Sequence, residues 1–176
     1  ILSETVYFEA YYEAFLKQGD TYEKQTDLQK YFPALPDGLT SEPSDIDNTR
    51  LLDLTKTVKQ TEESILWNRL DRLFFSIKAS WGDIIVGRQA VTWGSGLIFN
   101  PMDLFNPFSP SDIVRDYKMG DDLISVGFST ERFGECNLLY VPRRDRITGE
   151  VDFKSASVAG KSHFFAEDIE TDAMGA

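Results

Sequence analysis

The sequence has few of the residues on which catalytic and metal sites depend, since one histidine, His163, and one cysteine, Cys136, occur in 176 residues. A single cysteine forms no internal disulfide and, without neighbouring Cys or His ligands, builds no metal site. Cys136 is therefore predicted to be a small, half-buried strand residue. His163 has no nucleophile motif near it for a Ser-His-Asp triad. We predict no enzymatic activity, no cofactor and no metal site.

Positive charge and long apolar runs are also scarce. The chain carries 18 Lys and Arg against 29 Asp and Glu, a formal net charge of −11. It offers no basic stripe for phosphates, so we predict no nucleic-acid partner. No apolar run approaches the ~18 residues of a transmembrane helix. Transmembrane strands need only ~9 to 11 residues of alternating character, so a low mean hydropathy does not argue against them.

Alternation with a period of two residues runs through the chain instead. Residues 6–16 place apolar side chains on one face and a mixture of aromatic and charged side chains on the other. Further predicted strands cover about 57–79, 84–92, 123–130, 135–141 and 156–164, with a last segment ending at 176. Strict alternation back from Leu73 would put Asp71 and Arg69 on the apolar face, which indicates either a β-bulge near Asp71 or a strand that leaves its apolar surroundings there.

The connections between these strands alternate in length. The long ones cover about 18–56, 93–122 and 142–152, and the short ones about 80–83, 131–134 and 166–169. Because consecutive antiparallel strands put alternate connections at opposite ends of a sheet, all long connections lie at one end. Bacterial outer-membrane barrels have this layout, although soluble sandwiches and barrels share it. Polar faces rich in Tyr, Glu, Lys and His suit a wet lumen, which favours a membrane barrel.

The run VGRQAVTWGSGLIFNPMDLFNPFSPSDIVRDYKMGDD, with RLDRLFFSIKASWGD before it and YVPRRD after it, resembles an uncharacterised family of porin-like Gram-negative outer-membrane barrels. Those proteins typically carry a G-R-Q strand, a W-G turn and an N-P-x-D loop, here at 87–89, 93–94 and 100–103. The resemblance covers roughly residues 65–145. It implies an all-β fold, an antiparallel transmembrane β-barrel of up-and-down meander topology in the bacterial outer membrane. Residues 1–176 would form one partial barrel domain of about six to seven strands, and so a fragment of the whole.

The long connection over residues 93–121 is predicted to be structured. Asn100 before Pro101 and Ser109 before Pro110 have the form of helix N-caps followed by proline at the first helical position. In porin-like barrels such a loop commonly narrows the lumen, so the resemblance implies a constriction element, and an extracellular cap is the equally weighted alternative. The charged candidates in it are Asp103, Asp112, Arg115 and Asp116, and the residues that would pack it to the wall are Trp93, Phe99, Phe105 and Phe108.

Charged residues in the predicted strands are the remaining site candidates. An arginine facing lipid near the midplane costs ~2 to 4 kcal/mol, so Arg88 is predicted to face the lumen or lie near a rim. There it either selects anions or, as we favour, pairs with Glu9 or Glu13. The pore-lining candidates in the strands are Glu9, Glu13, Arg88 and Lys161. Arg69, Asp71 and Arg72 have the same alternatives as Arg88, and Arg143, Arg144 and Arg146 are predicted to form a solvated loop patch.

These features predict an outer-membrane channel or transport barrel for small or amphiphilic solutes. Its partners would be outer-membrane lipid, a small solute and other envelope proteins. One alternative is a soluble periplasmic or secreted β-domain that binds carbohydrate through Trp67, Trp81 and Trp93. A second alternative is a barrel that sheathes a larger trans-outer-membrane conduit.

Overall fold

A computed structural model describes residues 5–20, 47–91, 118–130, 134–166 and 169–175, together with the single residues 22, 24, 27 and 31. It contains eight β-strands. They are β1 (Thr5–Gln18), β2 (Thr55–Gln60), β3 (Ser64–Ala79), β4 (Gly82–Gln89), β5 (Asp121–Thr130), β6 (Gly134–Val141), β7 (Ser157–Ala166) and β8 (Ile169–Gly175). In the part of the chain that is described, no helix has the length and apolar character to cross a membrane.

Seven of the strands form one antiparallel meander in the order β1-β3-β4-β5-β6-β7-β8. The predicted all-β antiparallel meander is confirmed. Within the described residues the sheet is open, because β1 and β8 are each paired on one side only. The strand ends that flank residues 80–81, 131–133 and 167–168 lie at one end of the sheet, called here the short-turn end. The strand ends that flank 19–63, 90–120 and 142–156 lie at the opposite end, called the long-connection end.

The strand β2 differs from the sequence-based prediction. Alternation predicts one extended segment over 57–79 after a loop over 18–56, whereas the chain turns at 61–63 and forms a β2–β3 hairpin. Thr61 and Ser64 close the turn, since the Ser64 backbone N–H donates to Thr61 Oγ1 at 3.0 Å. The sequence TKTVKQ of β2 has β-branched residues but no apolar alternation, which is why a reading of periodicity misses it.

Strand β3 changes its neighbour on one side partway along its length. Its residues 73–79 pair with β4, and its residues 65–69 pair with β2. The change occurs at the predicted bulge: Tyr11 of β1 lies opposite Arg72 and Tyr12 lies opposite Leu70, so Asp71 has no partner in β1. The bulge near Asp71 is therefore confirmed. A bulge lets one strand keep pairing with a neighbour while its side chains change direction.

The two faces of the meander have different composition. The register gives an apolar face, defined by two rows of side chains that cross the strands. One row is Phe8, Phe75, Val86, Ile124, Tyr140 and Val158, and the next is Val6, Ile77, Ile84, Val126, Leu138 and Gly160. The opposite, polar face carries the row Lys78, Asp83, Gly127, Asn137 and Lys161 and the row Tyr7, Ser76, Ile85, Ser125, Leu139 and Ala159.

A small apolar core lies on the polar face near the long-connection end. Leu123, Leu139, Val141 and Ala159 form it, and the partly buried Val91 packs against it. On the apolar face, large side chains such as Phe75 and Val86 are exposed, and no second layer of described residues covers them.

Candidate functional site

The apolar face of the sheet is exposed, and the polar face is the more buried one. Phe75 is 56% exposed whereas the next residue, Ser76, is 5% exposed. The same contrast occurs two strands away, where Ile124 is 41% exposed and Ser125 is 3% exposed. In a water-soluble domain the apolar face of a sheet is packed against a core and the polar face is solvated. This sheet has the reverse arrangement.

The apolar face is continuous from strand to strand. The rings of Phe8 and Phe75 are in contact across β1 and β3, with centroids 4.9 Å apart. Leu138 on β6 and Val158 on β7 extend the exposed surface, at 50% and 65% exposure. Large contiguous apolar patches on a protein surface mark contact with another protein, a ligand or a membrane. Cys136, whose half-buried position was predicted, lies on this face, with its Sγ 3.4 Å from Ser162 Oγ.

The polar face holds an open pocket of about 580 Å³ towards the short-turn end. The polar side chains that line it are Asp83, Ser129, Glu135, Asn137, Lys161 and His163. The carboxylate of Asp83 lies over Gly127, where an added Cβ would come within 2.5 Å of Asp83 Oδ1. Of the pore-lining candidates, Lys161 lines this pocket, and Glu9 is exposed on the polar face of β1.

A second polar assembly, called here the rim cluster, lies at the long-connection end. It consists of Glu13, Asp47, Asp71, Asp121 and Asp122 with Arg50, Arg69, Arg72, Arg88 and Arg143. Its five carboxylates and five guanidinium groups balance in formal charge. Nearly all of these side chains are shielded from solvent, and buried charges are tolerated in proteins when they are paired in this way.

Arg88 is fully buried and is the most connected member of the rim cluster. Its Nε donates to Asp122 Oδ1 at 2.8 Å and its Nη2 donates to Asp122 Oδ2 at 3.1 Å. Nη2 also donates to the Leu52 carbonyl at 2.6 Å, and Nη1 lies 2.9 Å from Asp47 Oδ1. Arg88 therefore makes structural ion pairs, the alternative that the sequence analysis favours over anion selection. Its partners are Asp47 and Asp122 rather than Glu9 or Glu13.

The β3 bulge is the second centre of the rim cluster. Arg69 Nη2 donates to Glu13 Oε2 at 2.7 Å, and its Nε lies 3.6 Å from Asp71 Oδ1. Asp71 also pairs with Arg72 and accepts a hydrogen bond from the Gly120 N–H at 3.3 Å. Arg72 Nη2 donates to the Lys118 carbonyl at 2.7 Å. Glu13 is thus engaged by Arg69, and the residue inserted by the bulge holds the chain that enters β5.

Arg143 and Arg144 do not form the predicted solvated patch. Arg143 donates to both carboxylate oxygens of Asp121, at 2.6 and 2.5 Å, which is the bidentate geometry that suits a guanidinium. Arg144 donates through its side chain to the Leu51 carbonyl and through its backbone N–H to the Thr49 carbonyl at 3.0 Å. The prediction is wrong for these two residues because their partners, in the 47–54 segment and at the start of β5, are distant in sequence.

The segment 47–54 is fixed by the same cluster. The Leu52 N–H donates to Asp122 Oδ2 at 2.7 Å, and the Leu54 N–H donates to Asp47 Oδ2 at 2.9 Å. Burial alone would raise the pKa of Asp47, but the charge of Arg88 and the hydrogen bonds outweigh it and hold this pKa below its ordinary value. Asp47 is therefore ionised near neutral pH and keeps its ion pair with Arg88.

The G-R-Q residues have physical roles in this arrangement. Gly87 has a φ of +129°, and an added Cβ would come within 2.2 Å of the Leu73 carbonyl oxygen, so only glycine fits there. Arg88 supplies the guanidinium of the rim cluster, and Gln89 pairs with Asp121 at the start of β5. The W-G and N-P-x-D parts of the resemblance lie outside the described residues.

Many of the predicted site residues also lie outside the described residues. These are the constriction candidates Asp103, Asp112, Arg115 and Asp116, the packing residues Trp93, Phe99, Phe105 and Phe108, and the helix caps Asn100 and Ser109. The residues of the rim cluster that the sequence pattern does not single out are Asp47, Arg50, Asp121 and Asp122. The doublet of acids directly before the alternating run of β5 is the signal that would have identified two of them.

The tryptophans of the carbohydrate alternative do not converge. Trp67 stacks on Phe15 near the long-connection end, with ring centroids 5.1 Å apart. Trp81 is in the turn at the opposite end of β3 and is 51% exposed. Because a strand rises ~3.3 Å per residue, Trp67 lies ~40 Å from the end of β3 at which Trp81 is located, so the two cannot hold one sugar. Trp93 lies outside the described residues.

In the part of the chain described by the structure, no group of three or more His, Cys, Asp and Glu side chains is placed to hold a metal ion. Comparison with known proteins finds no matching family model, no matching curated protein and no matching solved structure.

Proposed function

We propose that this chain forms part of the wall of a porin-like outer-membrane β-barrel that conducts small or amphiphilic solutes. The observation that carries the proposal is the reversed polarity of the sheet, in which Phe75 and Ile124 are exposed while Ser76 and Ser125 are buried. A sheet whose outward residues are apolar and whose inward residues are polar is the arrangement that a transmembrane barrel requires.

The strand lengths and the connections support the same proposal. The strands β4 to β7 have 8 to 10 residues, close to the ~9 to 11 residues with which a tilted strand crosses a bilayer. Long connections at one end and short turns at the other are typical of outer-membrane barrels. On this basis the long-connection end faces the cell exterior and the short-turn end faces the periplasm.

The polar face is then the lumen wall. Of the predicted pore-lining residues, Glu9 is exposed on this face and Lys161 lines its pocket, whereas Arg88 and Glu13 are held in ion pairs. The rim cluster fixes the ends of the wall strands at the level where the long connections begin. In this proposal Arg88 supports the channel without touching the solute.

The proposal is tested by placing an environment-sensitive fluorophore on neighbouring residues of β5. In a Cys136→Ser background, Ile124→Cys and Ser125→Cys are each labelled and the protein is incorporated into lipid vesicles. We expect blue-shifted emission and strong quenching by lipids with nitroxide-labelled chains at position 124, and weak quenching at position 125. Equal quenching at both positions, or failure of the protein to float with the vesicles, would contradict the proposal.

Conduction is tested separately in planar bilayers. The full-length protein is expected to give stable conductance steps. Deletion of residues 93–117, which spares Lys118 and the rim cluster, is expected to raise the conductance if that connection narrows the lumen. An unchanged conductance would exclude the constriction, and the absence of any conductance would exclude the channel.

A further inference from the structure

The pocket on the polar face lies where a row of polar side chains is interrupted. The register places Lys78, Asp83, Gly127, Asn137 and Lys161 side by side on five neighbouring strands, from β3 to β7. Gly127 has no side chain, so the row has a gap at β5, and Asp83 and Lys161 line the pocket from opposite sides of this gap. The pocket volume of about 580 Å³ is within the range of small-molecule sites.

The carboxylate of Asp83 is held over this gap without a cation. Its Oδ1 lies 2.5 Å from the position that a Cβ on Gly127 would occupy, so the side chain leans from β4 over β5. The cross-strand neighbour Lys78 has its ammonium over the ring of Tyr7, 5.4 Å from the centroid. Within the described part of the chain Asp83 has no ion pair, whereas each of the five carboxylates of the rim cluster has one. Asp83 is therefore placed to bind a positively charged group of a solute.

The other side of the pocket carries nitrogen donors. Lys161 and His163 line it from β7, and Asn137 lines it from β6. Asn137 Oδ1 accepts a hydrogen bond from Ser125 Oγ at 3.2 Å, so its amide nitrogen remains as a donor. The Lys161 ammonium has three donor hydrogens and can bind an oxygen of a solute in addition to the contact that it already makes. This side of the pocket therefore suits a carboxylate.

The spacing and the net charge of the lining restrict the solute further. From Gly127, under the Asp83 carboxylate, two strand spacings, together roughly 10 Å, lead to the backbone of Lys161. The two charged groups of the solute must therefore be several atoms apart. Asp83 and Glu135 are acids and Lys161 is a base, so with His163 neutral the lining has a formal charge of −1. A solute that is only an anion is disfavoured by this charge.

We infer that this pocket binds a linear zwitterionic solute whose ammonium group pairs with Asp83 and whose carboxylate is bound by Lys161. The solute class is that of an ω-amino acid, because the two charged groups of an α-amino acid share one carbon and cannot reach both sides. The inference rests on the proposed function, in which the pocket lies on the lumen wall near the periplasmic end, and it names the class of solute that this wall recognises.

The test uses 5-aminopentanoate as the probe and the full-length protein in detergent micelles. Saturation-transfer difference NMR gives the dissociation constant. Pentylammonium and pentanoate each keep one charged end, and glycine keeps both charges on one carbon. We expect each of these three to bind about tenfold more weakly than 5-aminopentanoate, the usual effect of losing one hydrogen bond to a charged group. This comparison needs no variant, so it does not depend on the folding of a mutant protein.

Two variants separate the two sides of the pocket. Asp83→Asn is expected to weaken 5-aminopentanoate and pentylammonium about tenfold without weakening pentanoate. Lys161→Met is expected to weaken 5-aminopentanoate and pentanoate without weakening pentylammonium. A general loss of structure would weaken every probe in both variants. The exposed Glu62→Gln and Lys59→Met are the matched controls and are expected to bind all probes as the unaltered protein does.

Three results would overturn the inference. They are no binding of 5-aminopentanoate, equal binding of glycine and 5-aminopentanoate, and equal effects of the two pocket variants on every probe while both controls bind normally. Planar bilayers separate the inference from the proposed function. Conductance without binding of 5-aminopentanoate would refute the inference alone. Selective binding in micelles by a protein that gives no conductance would support the pocket and refute the channel.

Discussion

A single arginine organises the rim of this sheet. Arg88 is enclosed completely, and its guanidinium contacts two carboxylates and one backbone carbonyl. The desolvation of a buried ion pair offsets much of the attraction between its charges, so such a pair contributes little net stability. Removal of one member is costly all the same, because the partner remains as a buried, uncompensated charge.

The first prediction concerns this arginine. Arg88→Met leaves Asp47 and Asp122 without their shared cation and is expected to lower the free energy of unfolding by about 3 to 5 kcal/mol. Urea-induced unfolding in lipid vesicles measures the change. The double variant Arg88→Met with Asp122→Asn is expected to recover part of the lost free energy of unfolding, because it removes one of the two carboxylates that have lost Arg88 as a partner. The exposed Lys59→Met is the matched control, with an expected change within about 0.5 kcal/mol. A loss of the same size in Lys59→Met would show that the effect is not specific to the rim cluster.

The second prediction concerns Lys118, whose ammonium donates a hydrogen bond to the Val91 carbonyl. Burial lowers the pKa of Lys118 to about 8, and the charge of Asp121 opposes part of this shift. Because the neutral amine is the form that reacts with acylating reagents, we expect competitive labelling of Lys118 to reach its midpoint near pH 8. The exposed Lys56 serves as the reference lysine for the labelling. Identical labelling profiles for the two lysines would contradict the burial of Lys118.

Among the strands, β3 connects the two parts of the sheet. Residues 73–79 of β3 pair with β4, and residues 65–69 pair with β2. The bulge at Asp71 lies between these two parts. Between these two parts of β3, a connecting segment supplies the hydrogen-bond partner of the backbone. The Leu70 N–H donates to the Leu54 carbonyl at 3.0 Å. One extra residue in β3 therefore creates the place where segment 47–54 and the entry to β5 attach to the sheet.

The third prediction tests how closely the entry to β5 packs on this bulge. A Cβ at Gly120 would lie 2.2 Å from the Asp71 carbonyl oxygen, so the backbone must move to accept it. Gly120→Ala is expected to destabilise the protein by about 1 to 3 kcal/mol, the usual cost of overpacking. Gly175→Ala is the control, because an added Cβ there meets no atom within 4 Å. The two variants are compared by their urea midpoints in vesicles, and equal midpoints would contradict the close approach.

The sequence predicts the regular parts of these elements better than their exceptions. Alternation identifies the strands of the meander, and the bulge is visible because Asp71 and Arg69 would otherwise fall on an apolar face. The β2 strand is missed because its side chains lack alternation and its pairing depends on a turn. The ion pairs of Arg88 with Asp47 and Asp122 depend on contacts between segments far apart in sequence, and periodicity contains no information about such contacts.

At the scale of the whole molecule, the apolar face of the sheet is exposed. The effect of a charged substitution on this face on the free energy of unfolding therefore depends on whether the face contacts lipid or water. The fourth prediction uses Val86, in the middle of the apolar face and 48% exposed. Val86→Lys is expected to cost about 2 to 4 kcal/mol in a bilayer, because a lysine on the lipid side near the midplane is poorly solvated. In a soluble domain the same substitution would fall within about 0.5 kcal/mol.

The matched control for this substitution is Ile147→Lys, at a position that is 95% exposed in the 142–156 connection. It is expected to leave the stability unchanged in either environment. Chemical unfolding from vesicles gives both values. A neutral effect of Val86→Lys in vesicles would refute contact between this face and lipid.

The ion pairs at the rim have a consequence for protein engineering. Between the arginine pair at 143–144 and β7 the chain forms its own small hairpin, in which Asp145 accepts the Ile147 and Thr148 N–H groups at 2.9 and 2.7 Å. The base of this hairpin is held by Asp121 and by the carbonyls of segment 47–54, whereas Ile147 at its tip is exposed. A foreign peptide inserted after Ile147 would be exposed to solvent while the base of the hairpin stays bound to the sheet. The tip is therefore a suitable insertion site for an epitope or an affinity tag.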